Sequence, residues 1–108
     1  LAVIESWRSA WESRDEAKYA ENYAQQFSAD GQDREAWLAR KHSVNAAKNW
    51  IKVNVKNISM FRNPGVEDYV VVTFDQDYRS SNLSGQMKKR QYWIKESGRW
   101  KIVNEDAV

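Results

Sequence analysis

The spacing of apolar residues changes once along the chain, near Trp50. Before this point, apolar side chains recur every three or four residues, which is the spacing of one face of an α-helix. After it, they alternate with polar residues, as in a strand that faces a core on one side. The pattern therefore predicts a helical first half followed by a β-sheet.

The first predicted helix buries Ile4, Trp7 and Trp11, which follow each other at helical spacing. The chain then breaks at 13–16, Ser-Arg-Asp-Glu, which has the Ser-x-x-Glu form of a capping box. Asp15 is an alternative N-cap, since an Asp side chain can accept a hydrogen bond from the first helical turn. Either cap predicts that a second helix begins here.

The second helix is predicted to end at Gly31, because glycine readily adopts the left-handed conformation that closes a helix. Its buried stripe is predicted to be Tyr19, Ala20, Tyr23, Ala24 and Phe27. A third helix is predicted to begin after an Asp33 cap and to run to about Lys48. Its inward positions are predicted to be Trp37, Lys41, Val44 and Ala47 or Lys48.

Four strands are predicted in the second half. The first begins at Ile51, and the other three span Tyr69–Arg79, Met87–Glu96 and Arg99–Glu105. Ile58 is out of phase with the first strand, which predicts a bulge near Lys56-Asn57. Turns are predicted at Asn63-Pro64-Gly65 and Ser97-Gly98, and a loop at 80–85. Helices followed by strands predict an α+β fold with helices on one side of an antiparallel sheet, in a single domain spanning residues 1–108.

The last two strands carry apolar side chains on both faces. A two-residue turn at Ser97-Gly98 predicts the pairs Lys95–Trp100, Trp93–Ile102 and Gln91–Asn104, all facing the helices. The opposite face is predicted to carry Tyr92, Ile94, Val103, Lys101, Arg90 and Glu105. With Tyr69, Val71 and Thr73 it forms an outer apolar face, which we expect to be covered by a second copy of the chain or by another domain.

The composition excludes several kinds of functional site. The 108 residues include six Trp and no Cys, which excludes disulfides, thiolate metal sites and a Cys nucleophile. A net charge of +2 gives little reason to expect nucleic acid, and alternation splits the basic run Lys88-Lys89-Arg90 between two sheet faces. No apolar run reaches the ~20 residues of a membrane span, and no signal peptide is recognisable. Because the chain begins with Leu1, we expect it to be a piece of a longer protein.

The order and identity of the aromatic positions resemble those of NTF2-like (SnoaL-like) domains. The residues that carry this resemblance are Trp7, Trp11, Arg14-Asp15, Tyr19, Tyr23, Phe27, Trp37, Val72-x-Phe74-x-Gln76-x-Tyr78, Lys89-x-x-Tyr92-Trp93 and Gly98-x-Trp100-Lys101-Ile102-Val103-x-Glu105. Within that superfamily the chain is most similar to the C-terminal accessory domain of bacterial L,D-transpeptidase and L,D-carboxypeptidase cell-wall proteins. The resemblance implies a cone-shaped sheet around the helices with a pocket inside, and a periplasmic or cell-envelope location.

The pocket is expected where the inward face of the sheet changes from aliphatic to polar and aromatic side chains. Its predicted lining is Tyr19, Tyr23, Trp37, Gln76, Tyr78, Gln91 and Trp93. Aromatic rings would stack on a small molecule or on a glycan or peptide fragment, while amides and hydroxyls would orient it. No catalytic residue is assigned, because Asp15, Asp75, Asp77 and His42 are all expected outside this pocket, and no cofactor or metal is expected.

Three functions remain open from the sequence. The first is a non-catalytic module that binds a ligand or dimerises, accessory to a bacterial cell-envelope enzyme. The second is a small isomerase, hydratase or cyclase-like enzyme, which requires an ionisable group inside the cone. The third is a purely structural dimerisation domain with a filled core.

Overall fold

The computed structural model describes residues 2–62, 65 and 68–108, and in these ranges it shows three helices and two antiparallel sheets. The helices are α1 (Ala2–Glu12), α2 (Glu16–Glu21) and α3 (Arg34–Ala46). The strands are β1 (Ser28–Ala29), β2 (Gln32–Asp33), β3 (Ile51–Arg62), β4 (Tyr69–Ser80), β5 (Ser84–Glu96) and β6 (Arg99–Ala107). Strands β3 to β6 form one sheet in chain order, which confirms the predicted α+β fold with an antiparallel sheet.

The helices pack on one face of this sheet, here called the inner face. Trp7 of α1 is fully buried, with its ring centroid 5.3 Å from that of Trp11 and 5.7 Å from that of Phe74 on β4. Trp93 and Ile102 join the same core from β5 and β6. Each buried ring removes about 150–250 Å² from water, so a few aromatic side chains supply most of the core of a strongly charged chain.

Both predicted helix caps are present. The Asp15 side chain accepts a hydrogen bond from the Lys18 amide at 3.1 Å, so Asp15 itself caps α2. The Asp33 side chain accepts one from the Ala36 amide at 2.9 Å and caps α3. Each cap is worth about 1 kcal/mol.

The second helix is much shorter than predicted. It ends at Glu21, and the chain then pairs with the edge of β6 through a parallel bridge between Tyr23 and Ile102. The Ile102 amide donates to Asn22 O at 2.6 Å, and the Ala24 amide donates to Ile102 O at 2.8 Å. These bonds pair the backbone N–H and C=O groups of Ile102 at the edge of β6. They hold the chain out of the helix here, although its aromatic residues have helical spacing.

Gly31 does not terminate a helix either. Asp30 and Gly31 have φ angles of 50° and 73° and form the turn of the short hairpin β1–β2. On α3, Trp37 is buried as predicted, but Val44 is 44% exposed, which corrects its expected inward position. Val44 lies beside an opening described below rather than in the core.

Strands β3 and β4 pair antiparallel, with Ile51 opposite Ser80 and Arg62 opposite Val70. The register shifts between Lys56 and Ser59, and Asn57 has a φ of 55°, which confirms the predicted bulge. The predicted turn at 63–65 falls mostly outside the described residues. On the outer face, Tyr69, Val71, Thr73, Tyr92, Ile94 and Val103 are all partly exposed.

The last hairpin has the predicted turn but departs from the predicted register further along. Lys95 pairs with Trp100 and Trp93 with Ile102, as expected. The register then shifts, so that Tyr92 pairs with Asn104, and Gln91 pairs with Glu105 instead of Asn104. This bulge adds one residue to β6 and rotates the following side chains to the opposite face. The expectation that Glu105 faces outward is therefore wrong: it is buried at the inner face, 4% exposed.

No helix in the ranges 2–62, 65 and 68–108 is long and apolar enough to cross a membrane.

The turn at Ser97-Gly98 provides a test of the last hairpin. Ser97 and Gly98 have φ angles of 53° and 79°, a conformation that costs a residue with a side chain about 1–2 kcal/mol. We expect Gly98→Ala to lower the free energy of unfolding by about that amount, measured by urea denaturation. Gly85→Ala is the matched control, because an added Cβ meets nothing within 4 Å at either glycine and only Gly98 has a positive φ. Equal stability of the two variants would contradict the turn geometry.

Candidate functional site

A cavity of about 570 Å³ opens between α3, the loop that joins β4 to β5, and the last residues of β6. Its lining includes Trp37, Lys41, Gln76, Tyr78, Lys89 and Glu105. The strands supply side chains to it because residues 76 and 78 on β4 and residue 89 on β5 alternate onto the inner face. The cavity therefore combines rings, an amide and charged groups on a rigid support.

An ion pair lies at the inner end of this cavity. Lys89 Nζ is 2.9 Å from Glu105 Oε2, and the two side chains are 10% and 2% exposed. The ammonium group of Lys89 also lies 5.4 Å and 5.3 Å from the ring centroids of Trp7 and Trp11. The aromatic faces and the carboxylate together stabilise a positive charge that would otherwise be costly to bury.

Two tyrosines extend this pair into a hydrogen-bonded chain. The Tyr23 hydroxyl donates to Glu105 Oε1 at 2.8 Å and accepts from Trp7 Nε1 at 3.1 Å. The Tyr19 hydroxyl lies 3.0 Å from that of Tyr23. Burial, reinforced by the negative charge of Glu105, raises the pKa of both tyrosine hydroxyls. They therefore remain protonated and act as neutral hydrogen-bonding groups at physiological pH.

Lys41 on α3 approaches the cavity from the opposite side. Its ammonium nitrogen lies 4.7 Å from the Trp37 ring centroid, and the guanidinium carbon of Arg40 lies 5.1 Å from the same ring. Burial, together with the positive charge of Lys89, lowers the pKa of Lys41 to about 8. Among the described residues, no carboxylate oxygen lies within 4.0 Å of Lys41 Nζ.

Buried polar atoms near the cavity also lack partners. Within the described ranges, Gln76 Oε1 and Trp37 Nε1 make no hydrogen bond, and neither does the side-chain amide of Gln91. Gln76 and Trp37 are cavity-lining residues that are 5% and 4% exposed. A buried polar atom without a partner costs about 1–3 kcal/mol, and a ligand group that bonded to it would recover part of that cost.

The structure divides the seven predicted pocket residues into two layers. Trp37, Gln76 and Tyr78 line the cavity. Tyr23 lies behind it and contacts the cavity residue Glu105, and Tyr19 is bonded to Tyr23 and lines a separate groove between α2 and α3. Gln91 and Trp93 are almost fully buried in the core.

Sequence reasoning did not identify Lys41, Lys89 or Glu105 as residues of the site. Lys41 was placed on the inward face of α3, but no role followed from that placement. Lys89 alternates onto the same face as Gln91 and Trp93, so its burial could have been found from strand spacing alone. Glu105 gave no such signal, because its position depends on the bulge.

Comparison with known proteins identifies the family. A model of the Cds6 C-terminal NTF2-like domain matches residues 1–106. The chain belongs to this family. No curated protein matches the chain. The predicted NTF2-like resemblance is thereby confirmed.

Solved structures agree with this assignment. The chain is 28% identical to Bd1075 of Bdellovibrio bacteriovorus with a TM-score of 0.88, covering 97% of this chain and 37% of that one. It is 25% identical to the helical cell shape determining protein Pgp2 of Campylobacter jejuni, with a TM-score of 0.81 and coverage of 97% and 38%. An NTF2-like protein of unknown function from Pseudomonas putida KT2440 is 15% identical, with a TM-score of 0.84 and coverage of 98% and 80%. The chain thus spans less than two fifths of the length of Bd1075 and Pgp2.

Besides Glu105, two acidic residues line the cavity of this NTF2-like domain, Asp30 and Asp106. Four other side chains that the sequence brought into question lie away from it. Asp15 and His42 line a separate groove between α2 and α3, where the His42 ring contacts the Glu16 carboxylate. Asp75 faces the opposite side of the sheet and accepts a hydrogen bond from Asn57 at 2.7 Å. Asp77 lies beside Asp75 in a separate surface depression. In the part of the chain that the structure describes, no three His, Asp or Glu residues are grouped to hold a metal ion.

The ion pair provides a test of the site. We expect Glu105→Gln to lower the free energy of unfolding by about 3 kcal/mol, because it leaves the Lys89 charge buried without its partner. Adding Lys89→Met should restore part of that loss, since the orphaned charge is then removed. Urea denaturation at constant pH and salt measures both.

The control is a neighbouring pair on the same two strands. Arg90 and Asp106 are joined by two hydrogen bonds of 3.1 Å and 3.0 Å but are much more exposed. Asp106→Asn should therefore cost much less than Glu105→Gln. Equal costs at the two sites would contradict the burial of Glu105.

Proposed function

We propose that this domain is a non-catalytic ligand-binding module of a bacterial cell-envelope enzyme. Its ligand is a small molecule or a glycan or peptide fragment of the cell wall, held in the cavity between α3 and the sheet. The observation that carries this proposal is the cavity itself: about 570 Å³ lined by aromatic rings, an unpaired amide oxygen and two lysines. A pocket of mostly apolar surface with a few convergent polar groups is the usual form of a ligand site.

The chemistry of the lining suits a fragment that has both apolar faces and polar edges. Trp37 and Tyr78 offer ring surfaces that stack on sugar or peptide groups. Gln76 offers an amide whose oxygen needs a donor. The residues that form the back of the cavity are buried in the core, so the site is rigid before the ligand arrives and loses little entropy on binding.

The cell-envelope role rests on relatives. Bd1075 and the helical cell shape determining protein Pgp2 are both longer proteins of which this fold is one part. An accessory domain in such a protein would position substrate for a neighbouring catalytic domain. The partly exposed outer face, which includes Tyr92 and Ile94, would then contact that domain or a second copy of the chain.

An isomerase or hydratase is the second candidate, favoured by one observation. Glu105 is an ionisable group inside the fold, which the sequence did not lead us to expect. Its two oxygens are, however, already engaged by Lys89 and Tyr23, at 2.9 Å and 2.8 Å. A carboxylate held in this way is a poor general base, because taking up a proton would break the ion pair.

Titration with defined cell-wall fragments tests the binding proposal. We expect a disaccharide-tetrapeptide from peptidoglycan to shift the backbone amide signals of cavity residues in ¹⁵N NMR spectra. Gln76→Leu should weaken binding roughly ten-fold, since it removes the amide but keeps the volume of the side chain. Its stability should be unchanged or higher, because the unpaired oxygen is lost.

Gln26→Leu is the matched control, since Gln26 is exposed and lies outside the cavity. It should leave the affinity unchanged. Absence of any shift at millimolar fragment, or shifts confined to the outer face, would contradict the proposal. Conversion of the fragment by the domain would favour the enzyme.

A further inference from the structure

The positive and negative side chains that line the cavity are equal in number, but they are not all paired with one another. Three positive side chains line it, Arg40, Lys41 and Lys89, together with Asp30, Glu105 and Asp106. Glu105 is paired with Lys89 at 2.9 Å, and Asp106 is held from the outer face by Arg90, an additional cation.

Lys41 is the least compensated of these groups. Its side chain is partly buried against Trp37, and no described carboxylate oxygen lies within 4.0 Å of its ammonium nitrogen. Arg40 lies over the same ring but is exposed to water, which screens its charge. Removing an ammonium group from water without a counter-ion is unfavourable, and an anionic group at this position would offset the cost.

The amount of charge indicates what kind of anion fits. Lys89 is paired with Glu105, and Arg90 with Asp106. The charged groups that remain are Arg40, Lys41 and Asp30, which together carry one positive charge. A group with two negative charges, such as a phosphate monoester, would be repelled by the acidic side chains. A single carboxylate matches the excess, and the amide of Gln76 can accept a hydrogen bond from the group next to it.

We propose that the cavity is a carboxylate-binding site in which Lys41 pairs with a carboxylate of the ligand while the Trp37 ring packs against the adjoining apolar part. This inference rests on the proposed binding function and assigns its ligand class, a peptide acid rather than a neutral glycan. Lys89 does not need a carboxylate from the ligand, because Glu105 of the protein is already its counter-ion. Lys41 is thus the cation that selects the ligand.

The pH dependence of binding follows from the surroundings of Lys41. The charged groups that face it are Arg40 on α3, Lys89 on β5, Glu105 on β6 and Asp30 in the β1–β2 turn. Because its pKa is lowered to about 8, the protein loses this positive charge as the pH rises through that value. Binding of a carboxylate is therefore expected to be strong at pH 7 and to weaken roughly ten-fold or more by pH 9.5, as the competent protonated fraction falls.

The experiment compares two forms of one ligand. The disaccharide-tetrapeptide with free peptide carboxylates and the same compound with every carboxylate converted to a carboxamide are titrated by calorimetry at pH 7. We expect the amidated form to bind about ten-fold more weakly or worse. Lys41→Met should weaken binding of the free acid by a similar factor and remove the preference. Lys52→Met, at an exposed position on β3, is the control and should change neither.

Lys41→Arg separates charge from folding. It should retain the preference for the free acid and abolish the loss of affinity between pH 7 and 9.5, since a guanidinium stays charged throughout. Equal affinity of wild type for both forms would overturn the carboxylate site and leave the binding module intact. An unchanged preference in a folded Lys41→Met variant would also overturn it. Failure of both forms to bind would overturn the binding proposal itself.

Discussion

The arrangement of the site depends on one extra residue in β6. Val103 and Asn104 occupy the space opposite Tyr92 where a regular ladder has one residue, so Gln91 pairs with Glu105. This bulge directs Glu105 to the inner face, where it meets Lys89, a residue placed there by simple alternation along β5. Without the bulge the lysine would be buried among tryptophan rings with no counter-ion, at a cost of several kcal/mol. The bulge and the ion pair therefore require each other.

The same strand also determines the course of the chain after α2. The backbone of Ile102 bonds to Asn22 and Ala24, which occupies the edge of β6 and ends the helix early. The bridge at Tyr23 brings its hydroxyl within 2.8 Å of Glu105. Thus the short second helix, the covered sheet edge and the buried hydrogen-bonded chain are consequences of a single pairing. The cavity then forms in front of this network, below α3.

The features of the fold that were predicted correctly are those that local sequence patterns encode. Helices α1 and α3, the caps at Asp15 and Asp33, the four strands of the main sheet and the turn at Ser97-Gly98 all follow from local patterns, and the structure has them. Three of the predicted pocket residues line the cavity because they alternate on β4 or lie on the inward face of α3.

The remaining features depend on contacts that local patterns do not encode. The bulge near Asn57 was predictable because apolar Ile58 falls out of phase with its strand. The bulge near Val103 produces no such conflict, since it exchanges a polar Asn104 for a charged Glu105. An exposed glutamate agreed with the expected pattern, and only the tertiary partners reveal that it is buried. The same applies to Tyr23, whose helical spacing conceals a strand-like pairing.

The most direct test is the position of the Glu105 side chain in solution. In an NMR spectrum of the isotopically labelled domain, nuclear Overhauser effects should connect the Glu105 γ protons with the ring protons of Tyr23. These would place the carboxylate at the inner face, as the bulge requires. Effects that connect Glu105 with the Arg90 side chain instead would show a regular β6 with Glu105 on the outer face, and would contradict the account.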